Sequence, residues 1–303
     1  MAAPPPMNAI DSLNEPWPSP ANLAAATTTH RQGPFAIASR KLPISKAGPI
    51  EALEKDVGIQ VPEMIFGDNV VSIAHAPTGW RVEFNARDAL DAVDKTGDNM
   101  LQVAYAGEWS ASREQTSAGI REVVRPFDWS YSTTYKGTVV PGTLKRGGSD
   151  AEDAVADTDS SRRLDFTPTH EPIPIELLKR RDPIRFFDDV VLYESELDDN
   201  GISLLSVKLR VHDERMLLLC RLYMRLDNVV CRIRDTRIYV DFASEVVTRE
   251  YSAREASFND VKQKLFMSGL RPDGITIALR DANRIADFLP IVEHTLESVS
   301  LAS

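Results

Sequence analysis

The stretch RMLLLCRLYMRLDNVVCRIRDTRIY, residues 215–239, decides how this chain folds. It has the apolar and β-branched content of two long strands, with Asp227-Asn228 between them as a pair suited to a two-residue turn at positive φ. A two-residue turn sets Leu226 opposite Val229, Met224 opposite Cys231 and Leu222 opposite Ile233. Farther out it sets Cys220 opposite Asp235 and Leu218 opposite Arg237. These residues then share one sheet face, apolar near the turn and ending in an acid and a base. Arg221, Tyr223, Arg225, Arg232 and Arg234 fall on the other face. An apolar surface with a few convergent charges is one way to hold a peptide.

Outward from this hairpin the chain reads as strands with helices between them. Trp80, Val82 and Phe84 alternate as a strand, and from Asn85 the spacing of Ala89, Leu90 and Val93 is helical. Asn85 is an N-cap and Asp88 a first-turn acid, its plain structural reading. FAIASRKLPIS (35–45) reads as a strand, Ile50 to Val57 as a short helix, and Val70 to Ile73 as a strand. Phe127, Trp129, Tyr131 and Tyr135 alternate as a further strand turned by Lys136-Gly137, and residues near 109–113 as part of a helix.

After Pro174 a helix runs to Arg181, followed by strands over Ile184–Tyr193 and Ile202–Val211, the second with a slipped phase at Leu204-Leu205 that marks a bulge. A strand from Ser244 enters a helix capped by Ser252 or Ser257, and two amphipathic pieces flank Pro290. These elements predict one α+β domain over residues 33–300, mainly antiparallel sheet with surrounding helices. Residues 1–32, rich in Ala, Pro, Thr and Ser, read as a disordered extension, and the acidic RGGSDAEDAVADTDSSRR, at about 145–165, as a disordered insertion.

Composition narrows the function. A net charge of −10 argues against nucleic acid as a partner. No apolar run has the ~20 residues that span a bilayer, and MAAPPPMNAI lacks the basic and apolar regions of a secretory signal. Cys220 and Cys231 are the two cysteines. The hairpin register separates them by about 13 Å, beyond the ~7 Å a disulfide tolerates, so both read as reduced core thiols. No phosphate-binding glycine loop, no nucleophile elbow and no zinc-ligand spacing occurs, and His30, His75, His170, His212 and His294 are scattered. Neither a cofactor nor a catalytic constellation is expected.

Several segments together resemble the TIP-forty-one-like family. They are PEMIFGDNVVSI (62–73), EFNARDAL (83–90), EW (108–109), PFDWSYSTTYKGT (126–138), IRFFDDVVLYESELDDNGISLLSVKLRV (184–211), RLDNVVCRIRDTRIY (225–239) and REYSARE (249–255). The resemblance spans about residues 33–265. The proline-rich start and the acidic insertion depart from it, and nothing is carried over beyond Ser268. It implies an intracellular, non-catalytic regulator of type 2A protein phosphatases linked to TOR signalling, cytoplasmic with the nucleus also open. Such a regulator binds the catalytic subunit, including its extended C-terminal tail, in a cleft. It also leaves a second reading, a scaffold for TOR-pathway proteins such as the Tap forty-two adaptor with only indirect phosphatase contact, and the residues leave a third, an enzyme whose site is assembled from distant positions.

Positions implicated in phosphatase association fall here on Asp88, Ile173, Ile233 and Asp235, with Ile233 standing where other members can carry methionine. Combined with the alternation of the hairpin, this makes Arg237, with Tyr239 and Tyr251, a candidate for holding the tail, since a guanidinium can bind both oxygens of a terminal carboxylate. An internal ion pair of Arg237 with Asp235 or Asp88 is the competing reading.

Overall fold

In the computed structural model, which describes residues 18–96, 127–145 and 161–302, the decisive stretch is indeed a hairpin, but its register differs by one residue from the two-residue turn. Strand β12 (Arg215–Leu226) and strand β13 (Val230–Asp241) are joined by three residues, Asp227, Asn228 and Val229. Only Asn228 takes positive φ, at 60°, whereas the two-residue turn needs it at both central positions. Leu226 therefore pairs with Val230, Cys220 with Thr236, Arg221 with Asp235 and Tyr223 with Ile233.

A one-residue slip moves every side chain of a strand to the other face. Ile233, Asp235 and Arg237 consequently lie with Arg221 and Tyr223. Leu218, Cys220, Leu222 and Met224 lie with Arg232, Arg234 and Ile238.

Both faces are buried, which is why the alternation is hard to read from sequence. The hairpin sits inside an eight-stranded sheet of order β3-β10-β11-β12-β13-β14-β15-β9, whose other members are β3 (Met64–Ile65), β9 (Thr167–Pro168), β10 (Phe186–Ser195), β11 (Gly201–Val211), β14 (Val246–Ser257) and β15 (Ile291–Ser300). A five-stranded sheet of order β1-β2-β4-β5-β6 packs on one face. It is built from β1 (Thr27–Gln32), β2 (Phe35–Arg40), β4 (Val70–His75), β5 (Trp80–Asn85) and β6 (Thr138–Val140). Phe35, Ile37, Val71, Ile73, Trp80, Val82 and Phe84 face Val190, Leu192, Val207, Leu218, Leu222 and Met224 in one continuous core. A separate two-stranded pair of β7 (Gly142–Lys145) and β8 (Ser161–Leu164) adds Leu164 and Leu144 to that core.

The second face carries helices α5 (Phe258–Met267), α6 (Pro272–Ala278) and α7 (Ala282–Ile285). They bury Val261, Leu265, Ile275, Leu279 and Ile285 against Tyr223, Cys231 and Ile233. Sheet side chains satisfy their terminal carbonyls. Tyr223 Oη and Arg225 Nη1 donate to Leu279 O at 2.5 and 2.7 Å, and Arg254 Nη1 donates to Ala286 O and Leu289 O at 3.1 and 3.2 Å. Ser257, one of the two caps expected from sequence, caps α5 by accepting from Asp260 N, worth about 1 kcal/mol, while Ser252 lies within β14.

Other expectations resolve as follows. The fold is α+β and dominated by antiparallel pairing. Helix α1 (Pro20–Ala25) and strand β1 occupy residues that composition assigns to the extension, because the threonines of 27–29 pair with Ala38–Arg40 of β2. Helix α2 (Ala47–Val57) covers the expected 50–57. Phe127, Trp129 and Tyr131 are buried as their alternation predicts, yet the segment is irregular rather than a strand, with Tyr131 at φ 54°. Gly137 is needed at φ 91°, where an added Cβ would lie 2.8 Å from the ring of Phe84.

The bulge sits in β10, at Leu192, rather than in β11 opposite it. The expected helix near 109–113 and residues 1–17 lie outside the described residues, as do residues 146–160 of the insertion expected at about 145–165. The end of that insertion is instead ordered, since Ser161–Leu164 form β8 and Leu164 is buried in the core. The cysteines are free and lie on opposite faces of the sheet, Cys220 in the inter-sheet core and Cys231 under the helices.

Candidate functional site

Helices α5–α7 cover only part of the second face, and their boundary is marked by a charged ladder running across four strands. Arg221 of β12 donates from Nε and Nη2 to both oxygens of Asp235 on β13, at 2.6 and 2.7 Å. Arg237 reaches back to Asp235 from Nη2 at 2.9 Å and forward from Nη1 to Glu250 of β14 at 3.1 Å. The ring of His294, on β15, closes the row against Glu250 at 3.0 Å. Arg221 Nη1 also donates to Asn283 Oδ1 of α7 at 2.7 Å, so the ladder is tied to the helices. Strand pairing puts these side chains on one face, because Arg221, Asp235 and Ser252 are direct partners, as are Arg237 and Glu250.

The chain between β9 and β10 supplies the opposite boundary. β9 pairs with β15, and Thr169 N donates to Leu296 O at that edge. The chain then passes through the buried Ile173 and the short helix α4 (Ile175–Lys179) before entering β10 near the other edge. On its way Asp182 pairs with Arg215, whose side chain shares the face of Arg221 by alternation, and Pro183 O accepts from His212 Nδ1 at 3.0 Å. This segment is a strap over the far end of the sheet.

Along β12 the interval from Arg215, under the strap, to Arg221, under the helices, is six residues, about 20 Å at the usual strand rise. This interval holds the half-buried Leu217 and Leu219, paired with Tyr239 and Arg237, while on β11 the exposed Arg210 and Lys208 stand between them and Phe187, 55% exposed. The cleft between strap and helices thus mixes a few apolar side chains with the cations of β11 and ends at the ionic ladder.

The side chains proposed from sequence separate in this geometry. Asp235 is nearly inaccessible and is compensated by two arginines, so the internal ion-pair reading of Arg237 holds in the free protein, with Asp235 rather than Asp88 as its partner. Burial works to lower the pKa of Arg221, and the Asp235 carboxylate outweighs it, holding the guanidinium firmly charged. Arg237 is the accessible member, 31% exposed, and its Nε has no hydrogen-bond partner among the described residues. Ile233 is fully buried beneath α5–α7, and Ile173 is buried in the strap. Tyr239 lies on the cleft floor, but its ring is buried toward Arg215, and burial raises its pKa.

Tyr251 is not in the cleft. It pairs with Thr236 on the inter-sheet side, where the Lys136 amine stands 4.2 Å over its ring. Asp88 also lies away from the ladder, capped into α3 (Ala86–Asp91): its backbone N donates to Asn85 Oδ1 at 2.8 Å, and its carboxylate accepts from Asn85, Arg87 and Thr138. Burial acts to raise the Asp88 pKa, and these hydrogen bonds overcome it and lower it.

Arg221, Glu250, His294 and Leu219 escaped the sequence reading. The correct register would have found them, because each is tied to Asp235 or Arg237 by direct cross-strand pairing or by the next strand along.

Comparison with known proteins adds relatives of one kind. Residues 64–262 match the TIP41-like family. The chain is 36% identical over 276 residues to the human "TIP41-like protein", covering 90% of each. It is 35% identical over 280 residues to the Saccharomyces cerevisiae "Type 2A phosphatase activator TIP41", covering 88% of this chain and 72% of that protein. To the Schizosaccharomyces pombe protein named "Type 2A phosphatase activator tip41" it is 29% identical over 253 residues, covering 84% and 90%.

Proposed function

The chain belongs to the TIP41-like family, and on that footing we propose that it is a non-catalytic regulator of type 2A-like protein phosphatases that binds the catalytic subunit and receives its C-terminal tail in the cleft between strap and helices. The names of the two yeast relatives support the phosphatase. The cleft supports the tail: the half-buried Leu217 and Leu219 lie between the exposed cations Arg210 and Lys208 of β11 and the partly exposed guanidinium of Arg237. That juxtaposition carries the reading, since a chain terminus offers both a carboxylate and apolar side chains.

Arg237 exchanges part of its contact with Glu250 for the terminal carboxylate, while Asp235 and Arg221 keep it aimed. Ile233 and Ile173 act beneath the surface, setting the positions of the helices and the strap that wall the cleft. Regulation within TOR signalling, in the cytoplasm, belongs to the same proposal. Asp88, remote from the cleft, belongs to a second contact with the body of the catalytic subunit, on the side of β6, whereas Tyr251, buried between the sheets, is withdrawn from any partner.

The test is a pull-down of purified protein with purified catalytic subunit, intact and tail-deleted. Direct binding of the intact subunit, weakened by tail deletion, is expected. Absence of direct binding would overturn the proposal in favour of a scaffold that meets the phosphatase through an adaptor such as Tap forty-two. Binding indifferent to the tail would remove the cleft from it.

A further inference from the structure

A second concavity lies on the other side of α5 and α6, at the turn end of the β12–β13 hairpin. Arg225, which lines it, is four residues along β12 from Arg221, about 13 Å from the ladder, and the helices stand between. The concavity has a volume of about 600 Å³, with Phe258, Ile275 and Leu279 at its base and Lys262, Phe266 and Arg280 at its rim. Phe266 is 64% exposed although it is a large apolar residue on a helix with a buried face, and Met267 and Ile277 nearby are also exposed. Apolar side chains gathered at the mouth of an apolar hollow are what a docking site leaves uncovered.

Charge says what it would take. The chain as a whole carries −10, yet this lining holds three cations and one carboxylate. That carboxylate, Asp227, is occupied by Arg225 Nε at 2.6 Å, and Arg225 spends Nη1 on Leu279 O. The side chains of Lys262 and Arg280 have no hydrogen-bond or ion-pair partner among the described residues. Two uncompensated cations over an apolar base, on an acidic protein, complement a segment with carboxylates on either side of a large apolar side chain. An anionic bilayer is disfavoured because the net charge repels it.

We propose that the groove between α5 and α6 is a second protein-docking site that takes an acidic peptide segment, with one Leu or Phe as its anchor against Phe258 and Ile275 and its carboxylates on Lys262 and Arg280. It is independent of the tail cleft and of the identity of the phosphatase partner.

The test is selection of a random decapeptide library displayed on phage against the full chain, followed by fluorescence anisotropy of the enriched peptides against wild type and the double variant Lys262→Glu/Arg280→Glu. Both positions are helical or helix-flanking surface sites, so the variant should keep the wild-type thermal transition. The expected result is enrichment of peptides with Asp or Glu flanking Leu or Phe. Their binding should weaken with added salt and fall roughly tenfold or more in the double variant. Phe266→Ala, which keeps both charges, should also weaken it.

The proposal is overturned if no sequence is enriched, if the enriched peptides lack acids, or if the double variant binds them as wild type does. A dimer of the chain alone that the double variant dissolves would also overturn it, by assigning the groove to a second copy. Tail-peptide binding, measured alongside, fails or survives separately.

Discussion

Asp235 and Arg221 are direct partners on neighbouring strands, joined by two parallel hydrogen bonds of 2.6 and 2.7 Å, and Asp235 is almost wholly withdrawn from solvent. A carboxylate in that setting is bound to its guanidinium in geometry as well as charge. Removing one side leaves the other stranded under the edge of the helices. Asp235→Ala is therefore expected to cost about 3 kcal/mol of stability, read as a lower urea midpoint. Most of that cost should disappear when Arg221→Met is added; a sum of two independent losses would refute the pairing.

Arg237 should behave differently, because it is partly exposed and shares Asp235 with Arg221. Arg237→Ala is expected to lower stability by less than about 1 kcal/mol. It should also weaken a synthetic phosphatase tail peptide roughly tenfold or more, measured by anisotropy. Wild-type affinity in this variant would show that the guanidinium does not hold the terminal carboxylate.

Ile233 tests the buried part of the same strand. Ile233→Ala empties space beneath Val261 and Ile285 and should cost about 2–5 kcal/mol. Ile233→Met nearly conserves volume and should cost less than about 1.5 kcal/mol. Equal losses in thermal or chemical unfolding would mean that the side chain is not packed as described.

Glu255 gives the fold an acid-sensitive joint. It accepts from Arg232 Nε at 2.8 Å and Arg234 Nη2 at 2.9 Å. Burial tends to raise its pKa, but the two arginines prevail and hold it below the ordinary 4.5. A carboxylate whose pKa is lower in the folded state stabilises above its unfolded pKa and loses that contribution as pH falls through the folded one. Glu255→Gln should thus be less stable than wild type at neutral pH. The gap should begin to close below about pH 4.5 and shrink further in more acid. A gap that is constant across that range would contradict the ionic role.

Both thiols should be silent in the native protein. Burial pushes Cys231 up to about 12 and Cys220 higher still, and the two lie on opposite faces of the sheet. A thiol reagent at neutral pH should label neither until denaturant is added, and then both. Labelling of one in the folded state would show that its cover opens locally.

How far the sequence reveals the site follows from where side-chain alternation has consequences. Trp80, Val82 and Phe84 alternate with Arg81 and Glu83 because one side of β5 meets the core and the other does not, so strand, phase and the Asn85 cap are all legible. β12 and β13 are covered on both sides, and Leu222 and Tyr223 are equally buried. With no polar face to fix the phase, the register hung on the turn alone. There Asn228 fits either loop length, and the exposed Val229 belongs to the three-residue one.

The membership of Asp235 in a binding surface likewise concealed its pairing with Arg221, since cross-strand partners are visible only once the register is known. β15 shows the opposite failure: Ile291–Ser300 is paired on its outer side only at Glu297 and Ser298, by the two-residue β9, and its start is largely exposed, which leaves its amphipathic text open to more than one reading.

Strands β3 and β9 are two residues each, yet both cross long stretches of chain to reach their partners, Met64-Ile65 to Tyr193-Glu194 and Thr167-Pro168 to Glu297-Ser298. During synthesis the five-stranded sheet therefore leaves the ribosome well before the strands that cover it. At ~5–20 residues per second the wait between Ile65 and Tyr193 is on the order of ten seconds. For that interval Phe35, Ile73 and Phe84 have no opposing layer. Apolar surface left uncovered for that time is what makes a nascent chain prone to aggregation, a hazard that comes from the order of the strands and not from the stability of the finished sheet.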